Sequence, residues 1–223
     1  MARWLLPAAA LAAFATSASA APLTVVELFQ SQGCSSCPPA NANVMALSDR
    51  PDLLTLSFGV IYWDQLGWKD TFASPRYTQR QWDYAHAFHR AQVFTPEVVV
   101  NGHADVVGQD RAELEALISR EQSHNGPEIH LESGFVSIGA GEGRAQIWLV
   151  RFDPRVVQVP VARGENGGRT LPHRNVVKEL AALGSWNGLP VSFPLPAVGD
   201  SGLRTAILVQ AGSGGRILAA ARD

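Results

Sequence analysis

Two apolar runs of strand type, separated by a helical segment, constrain the fold of this chain more than any other feature. The first run is LTVVELF at residues 23–29, and the second is DLLTLSFGVIYW at residues 52–63. The second run is long and apolar enough to be covered on both faces of a sheet. A strand, a crossover helix and a further strand form a right-handed unit with parallel strands. The sequence therefore predicts an α/β domain that begins near residue 23.

The same alternation continues as far as residue 122. Residues 75–90 and 110–122 predict two more helices, and residues 95–108 predict two strands joined by a tight turn at Asn101-Gly102. The hairpin adds an antiparallel edge to the parallel pair. Together these elements predict a three-layer α/β domain.

The pattern of apolar and turn-forming residues changes after residue 125. Short strand-like runs then alternate with Gly, Pro and Asn, which is typical of an antiparallel β-sandwich. Part of one of these runs, NVVKELAAL at residues 175–183, also fits a helix. We therefore predict an α/β domain at residues 21–124 and a smaller, mainly antiparallel β-sandwich domain at residues 125–223.

The first twenty residues predict a secretory signal peptide at residues 1–20. Arg3 precedes a short apolar run, and small residues at Ala18 and Ala20 suit cleavage before Ala21. An uncleaved anchor is the alternative. After cleavage we expect no stable membrane insertion and a location in the periplasm or outside the cell, where disulfides persist.

The charge composition of the chain argues against a nucleic-acid partner. The formal net charge is −2, with 18 basic and 20 acidic side chains. Because the basic residues are scattered along the chain, we expect no nucleic-acid partner. No paired-carboxylate or hydrolase constellation stands out, and we expect no cofactor and no metal site.

Cys34 and Cys37 are the two cysteines of the chain, and three interpretations fit them. As a structural staple, so short a ring would stabilise the fold by only roughly 2 kcal/mol. As a metal site, two thiolates fall short of the four ligands of a closed zinc site, although copper(I) accepts two soft ligands. The third interpretation is a redox couple.

The redox interpretation has a physical mechanism. A thiolate beside a helix N-terminus is stabilised by free N–H groups, which lowers its pKa. Cys34 is then expected to be the exposed attacking sulfur and Cys37 the resolving one. Because Pro38 and Pro39 fit only the first turn of a helix, the helix should begin near Ser36 or Cys37. That start leaves Cys34 just ahead of the dipole and predicts a thiol pKa that is lowered only moderately.

Three features resemble the thioredoxin-like superfamily over residues 23–120: CSSC after the first strand, Thr95-Pro96 before a later strand, and VVVNG at residues 98–102. The resemblance implies that Pro96 is cis and faces the disulfide across a substrate groove. Three longer segments, VELFQSQGCSSCPPAN, YWDQLGWKDTFASPRYTQRQ and GENGGRTLPHRNVV, resemble the secreted bacterial family called domain of unknown function 1223.

Further site residues are predicted around the cysteines. Glu27 is a candidate general acid/base for Cys37, and its alternative is a salt-bridged strand residue. Gly33 stands where thioredoxins have Trp, which predicts that the rim of the cysteine site is open. Thr95 lies beside Pro96 and is a candidate substrate-binding residue. Trp63 and Trp68 belong to a loop that either forms a peptide-binding wall or packs onto the domain.

The segment RGENGGRTLPHR at residues 163–174 gathers Arg163, Arg169, His173 and Arg174 around glycines. Arg side chains of this kind bind anions or carboxylates. The segment lacks the strand-to-helix context of a phosphate loop, which favours a β-turn or an inter-domain contact.

The sequence thus predicts a thiol-disulfide oxidoreductase that acts on protein thiols and disulfides, with a membrane redox protein as one candidate partner. Two alternatives stay open. One is a periplasmic protein that binds or inserts copper(I) through Cys34 and Cys37, and the other is an inert thioredoxin-like scaffold.

Overall fold

The computed structural model describes residues 22–122, 126–199 and 202–223. The predicted signal peptide and the predicted domain boundary between residues 124 and 125 lie outside these ranges. Within the described ranges, no helix combines the length and the apolar character that a membrane crossing needs.

The helices and strands of the described residues follow the predicted order. The helices are α1 Cys37–Ala46, α2 Pro75–Ala87 and α3 Arg111–Arg120, with a short 3-10 turn at Asp64–Leu66. The strands are β1 Thr24–Gln30, β2 Leu53–Gly59, β3 Glu97–Val100, β4 Ala104–Val106, β5 Ile129–Glu132, β6 Phe135–Ile138, β7 Ala145–Asp153, β8 Val157–Pro160, β9 Thr170–His173, β10 Val176–Trp186, β11 Val191–Pro194, β12 Arg204–Gln210 and β13 Ile217–Arg222.

An eight-stranded mixed sheet runs through the molecule in the order β13-β12-β7-β10-β2-β1-β3-β4. Strands β1 and β2 are parallel, and β3 and β4 form the predicted antiparallel hairpin beside β1. This arrangement confirms the α/β class. It is consistent with a thioredoxin-like domain followed by a β domain.

Side chains of β1 alternate between two apolar cores, as the two-residue period of a strand requires. Val26 and Leu28 pack with α1 and α3 on one face of the sheet. Val25 and Phe29 pack on the other face, with residues of α2 such as Tyr84. All seven residues of β1 are buried, which explains the nearly unbroken apolar run.

The C-terminal strands extend this same sheet. Strand β10 lies beside β2, where Val176 pairs with Ser57 in parallel. Next to this contact, the side-chain amide of Asn175 donates hydrogen bonds to the carbonyl oxygen and the hydroxyl of Thr55, at 3.0 and 2.7 Å. The three-stranded sheet β11-β6-β5 packs across one face, with Val136 against residues such as Ile147. The C-terminal part is therefore sandwich-like in its packing but shares its main sheet with the N-terminal part.

The ambiguous segment at residues 175–183 lies in β10 from Val176 onward. The register against β7 shifts between Val177 and Glu179, and again between Ala182 and Gly184. Each irregularity interrupts the two-residue alternation of a regular strand. This is why the helical interpretation fitted the sequence and is wrong.

A buried ion pair joins β1 to α2. Glu27 and Arg80 are 0% and 5% exposed, and the guanidinium donates to the two carboxylate oxygens at 2.8 and 3.0 Å. The hydroxyl of Tyr84 also donates to Glu27, and the amide oxygen of Gln210 accepts from Arg80 at 3.0 Å. Burial alone would lower the pKa of Arg80, but the Glu27 carboxylate raises it above its ordinary value. Each partner thus lies beside its opposite charge in the core.

Replacement of Arg80 by Met should therefore lower the free energy of unfolding by about 3–5 kcal/mol, because it leaves the Glu27 carboxylate buried without its counter-charge. Chemical denaturation measures this loss. Arg111→Met is the control, since it removes an exposed i,i+4 pair with Glu115 and should cost less than about 0.5 kcal/mol. Equal losses in the two variants would contradict the assignment.

Candidate active site

Cys34 and Cys37 are joined in a disulfide, with 5.4 Å between their Cα atoms. Cys37 opens α1, as the double proline predicted, and Cys34 lies in the preceding turn. The Cys37 amide donates to the Cys34 carbonyl at 3.2 Å, and the Cys34 amide donates to the carbonyl of Ser31 at 3.1 Å. The hydroxyl of Ser36 lies 3.3 Å from the Cys34 sulfur. The pair thus sits at the N-terminus of a helix, where a thiolate is stabilised.

Both cysteines are buried. Cys34 is 0% exposed and Cys37 is 1% exposed. The expectation that Cys34 is the exposed sulfur is therefore wrong for this structure. The reason is that a loop from a distant part of the chain packs against the cysteine turn.

A loop at residues 163–168, which we call the cap loop, connects strands β8 and β9 and packs against the cysteine turn. The side-chain amide of Asn166 donates hydrogen bonds to the carbonyl oxygens of Gln32 and Cys34, both at 2.9 Å. The carboxylate of Glu165 accepts from the amide and the hydroxyl of Ser35, at 3.0 and 2.7 Å. Hydrogen bonds from Ser35 hold the pKa of Glu165 below its usual value.

Of the two interpretations of residues 163–174, the contact with the N-terminal part is the one observed. Arg174 forms a bidentate ion pair with Asp49, at 2.6 and 2.9 Å. Arg169 donates to the side-chain oxygen of Asn166 at 2.7 Å and orients its amide toward Cys34. These Arg side chains hold the hairpin of β8 and β9 in place.

Trp63 connects the cysteine turn to the Thr95-Pro96 segment. The Thr95-Pro96 bond is cis, as the resemblance implied. The indole N–H of Trp63 donates to the hydroxyl of Thr95 at 2.7 Å. A Cβ at Gly33 would lie 3.4 Å from the Cβ of Trp63, so Trp63 packs directly against the glycine. Gly33 is buried, and the predicted open rim is wrong because Trp63 covers it.

Trp68 packs beneath the cap loop. Its indole N–H donates to the side-chain oxygen of Gln32 at 2.9 Å. The backbone N–H of Gln32 donates to the carboxylate of Asp70 at 2.6 Å. A Cβ at Gly164 would lie 3.3 Å from the Cβ of Trp68. The aromatic loop is thus packed between the domain and the cap loop.

Glu27 lies away from Cys37. Its side chain shares the face of β1 that packs on α2, whereas Cys37 opens α1 on the opposite face. A shift of one residue along a strand reverses the face of a side chain. The salt-bridged alternative is what the structure contains, and we assign Glu27 no part in the chemistry.

A cavity of about 40 Å³ lies beside Cys37, between α1 and β9. Its lining includes Gln30, Asn41, Pro172 and His173. Burial lowers the pKa of His173 to about 4, so its imidazole is neutral at neutral pH. Among the described residues, no group of three or more His, Cys, Asp and Glu side chains is arranged to hold a metal ion.

Sequence reasoning missed Gln32, Glu165, Asn166 and the place of His173. Asn166 and Cys34 are separated by 132 positions, and nothing in the local pattern of either segment indicates that they meet. The only local signal was the glycine-rich turn itself, which predicted a loop without predicting its contact.

Comparisons with known proteins agree with the resemblance seen in the sequence. A family model described as a protein of unknown function, DUF1223, matches residues 25–210. The crystal structure of protein AGR_C_4864 from Agrobacterium tumefaciens is 32% identical, with a TM-score of 0.75 over 92% of this chain and 95% of that chain. HBP35 of Porphyromonas gingivalis is 12% identical, with a TM-score of 0.55 over 93% of this chain and 76% of that chain, which shows a shared fold alone. No curated protein matches the chain at a significant level.

Asn166→Ala should expose the disulfide, because it removes both hydrogen bonds that bind the cap loop to the backbone of the cysteine turn. We expect a small dithiol to reduce the variant roughly thirtyfold faster than the wild type, given about 1 kcal/mol for each of the two hydrogen bonds. Thiol alkylation followed by mass spectrometry gives the rate. Arg163→Ala changes the same loop without touching these bonds and should reduce at the wild-type rate. An unchanged rate in Asn166→Ala would show that Asn166 does not hold the cover.

Glu97 follows Pro96 and carries a carboxyl group whose pKa is raised, first by burial, from 4.5 to about 7. The folded state therefore holds this proton more tightly than the unfolded state, and stability is lost as the pH rises from 4.5 through 7. Glu97→Gln cannot titrate. Relative to the wild type, its free energy of unfolding should rise by about 3 kcal/mol between pH 4 and pH 8. Denaturation at a series of pH values tests this, and a constant difference would contradict the raised pKa.

Proposed function

The chain belongs to the DUF1223 family, and from the geometry of its site we propose that it exchanges disulfides with thiol-bearing partner proteins outside the cytoplasm. The observation that carries the proposal is the Cys34–Cys37 disulfide at the first turn of α1. A disulfide between residues three apart encloses too small a ring to stabilise the fold by much. Its position, however, favours a thiolate on either sulfur.

The surroundings of the disulfide support exchange over a purely structural role. The cysteines lie at the positive end of the α1 dipole, and Pro38 and Pro39 in its first turn remove no helical hydrogen bond. Thr95 and Pro96 lie on the other side of Trp63, and Thr95 is half-buried. A partner chain that approaches Cys34 would therefore meet Trp63 and Thr95 first.

Exchange requires the cap loop to move, because Cys34 is fully covered in this structure. The loop is suited to displacement. Five of its six residues are exposed, three of the six are glycines, and Asn166 is the buried one. Segments with few buried apolar contacts open at low cost in free energy. A partner that binds the cysteine turn would compete with Asn166 and Glu165 for the same backbone groups.

The reaction is a transfer of two electrons between thiol pairs. A partner thiolate attacks the Cys34 sulfur, the Cys34–Cys37 bond breaks, and the electron pair stays on the Cys37 sulfur. A second partner thiolate then attacks the mixed disulfide and releases Cys34 as a thiolate. The partner leaves with a disulfide, and the two cysteines are reduced. The reverse sequence reduces a partner disulfide, so the potential of the partner sets the direction.

A location outside the cytoplasm is part of the proposal. The predicted signal peptide supports it, and a disulfide persists in an oxidising compartment. Protein thiols and disulfides of that compartment are the proposed substrates, and a membrane redox protein is the proposed source or acceptor of electrons.

Trapping of partners tests the proposal. In a Cys37→Ser variant, the Cys34 thiolate attacks a partner disulfide but the mixed disulfide cannot be resolved. We expect covalent adducts that disappear on reduction when the tagged variant is isolated from the periplasm of an expressing cell. Adding Asn166→Ala to Cys37→Ser should increase their yield, because the cap loop then opens more easily.

Cys34→Ser is the matched control, because it keeps a single cysteine but leaves it in the resolving position. It should give few or no adducts. If Cys37→Ser, with and without Asn166→Ala, gives no more adducts than this control, the exchange function is wrong and the fold is an inert scaffold.

A further inference from the structure

His173 is buried beside the disulfide with one ring nitrogen unused. The residue is 3% exposed, and within the described parts of the chain no group forms a hydrogen bond with its Nε2 atom. A buried polar atom without a partner costs free energy, so its presence in a native site calls for a reason. The same cavity of about 40 Å³ is lined by His173 and by Cys37.

A chain of hydrogen bonds indicates which ring nitrogen of His173 carries the proton. The carbonyl of Pro172 accepts from the side-chain nitrogen of Asn41 at 2.7 Å, so the side-chain oxygen of Asn41 is left as an acceptor. The Gln30 amide nitrogen donates to that oxygen at 2.9 Å and to the hydroxyl of Ser57 at 2.7 Å. The orientation of the Gln30 amide is therefore determined.

The Gln30 amide nitrogen also lies 3.4 Å from Nδ1 of His173. An amide nitrogen donates hydrogen bonds but does not accept them. Both hydrogens of this amide are directed at Asn41 and Ser57, so the 3.4 Å contact is at most a weak, shared hydrogen bond, but an N–H on Nδ1 would face those hydrogens unfavourably. The contact therefore favours the proton of the neutral imidazole on Nε2. This leaves a buried N–H donor without an acceptor on a residue that lines the same cavity as Cys37.

Resting on the proposed exchange function, we infer that the Nε2–H group of His173 donates a hydrogen bond to the Cys37 thiolate that forms when the disulfide opens. In the disulfide the Cys37 sulfur is neutral and a weak acceptor. When the Cys34–Cys37 bond breaks, the electron pair and a full negative charge stay on Cys37. A hydrogen bond to an ionised acceptor is about twice as strong as a neutral one.

This donor stabilises the leaving sulfur without a proton transfer. His173 stays neutral throughout, and the charge that the partner thiolate brings to Cys34 ends on Cys37. Because Cys37 is buried, its thiolate has little access to water, and a protein donor replaces the lost hydration. The N-terminus of α1 stabilises the same charge from the other side.

The charged groups on the elements around this site are few. Lys178 lies over the ring of Phe72, which makes an edge contact with His173. Glu165 is bound to Ser35 on the outer side of the cysteine turn, and Arg174 is paired with Asp49. Burial is the cause of the low pKa of His173, so the imidazole keeps its neutral donor form over the range in which Cys37 titrates.

The experiment measures the thiol pKa of Cys37 in the folded, reduced protein. A Cys34→Ser background leaves Cys37 as the one titrating thiol, and the ultraviolet absorbance of the thiolate is followed against pH. His173→Leu removes the donor and should raise the Cys37 pKa by about one unit. His173→Gln keeps an N–H donor near the position of Nε2 and should restore most of the shift.

Phe72→Leu is the control for packing, since it alters the ring contact with His173 but removes no donor. It should leave the Cys37 pKa unchanged. Equal pKa values in the wild-type background, His173→Leu and His173→Gln would overturn the inference. So would a shift of the same size in Phe72→Leu.

A second measurement needs no substitution and covers the case in which His173→Leu does not fold. Nitrogen NMR of labelled wild-type protein identifies the protonated ring atom of His173 in the oxidised and reduced states. We expect the proton on Nε2 in both, with a change in the Nε2–H resonance on reduction. A proton on Nδ1 would overturn the inference. Neither measurement needs a partner protein, so a failure here is distinct from a failure of the trapping experiment.

Discussion

The buried carboxylate of Glu27 is the constraint on which the packing of this protein depends. A charge in the middle of a fully buried strand is tolerated only when a counter-charge and hydrogen bonds surround it. On α2, Arg80 supplies the counter-charge and the hydroxyl of Tyr84 donates a hydrogen bond to the carboxylate. On β12, the side-chain oxygen of Gln210 accepts a hydrogen bond from the Arg80 guanidinium. The cluster thereby ties the first strand to the helix that covers it and to a strand of the C-terminal part. A sheet that runs through both parts makes this possible, because β1 and β12 belong to the same eight strands.

A second long-range contact covers the cysteine pair, whose first sulfur the sequence predicted to be exposed. The hairpin of β8 and β9 reaches back across α1 and places Asn166 on the carbonyl of Cys34. Within the cap loop Asn166 is the one buried residue, so the loop itself is held mainly by the hydrogen bonds of Asn166 and Glu165. Under the proposed function, such a cover limits the access of small reductants at rest and yields to a partner that offers the same backbone contacts. In the proposed function, access to Cys34 is thus a property of the C-terminal part of the chain.

The same hairpin contributes to both sulfurs in different ways. Its loop covers Cys34, and its second strand carries His173 to the cavity beside Cys37. The polar chain from Pro172 through Asn41 and Gln30 to His173 crosses three elements, β9, α1 and β1. Each member orients the next, and the last contact favours the imidazole proton on Nε2. Under the proposed chemistry, opening of the cap loop exposes Cys34 and leaves the His173 donor of Cys37 in place.

Local patterns were enough to predict the elements around the cysteines. The apolar runs predicted β1 and β2, the double proline predicted that α1 begins at its second cysteine, and the Asn101-Gly102 turn predicted the hairpin of β3 and β4. These features depend on neighbours along the chain. The face taken by Glu27 was also implied by the two-residue period of the strand, although only the position of Arg80 showed what that face contains.

What the sequence by itself determined, then, is the local conformation of each segment and the disulfide-bearing turn, because dihedral preferences and hydrophobic periods act over a few residues. The tertiary structure alone decided that β10 continues the sheet beside β2, that Asn166 covers Cys34 and that His173 lies beside Cys37. Those contacts join residues more than a hundred positions apart, and they give partners to the edge of β2 and to the backbone carbonyls of Gln32 and Cys34 in the turn before α1.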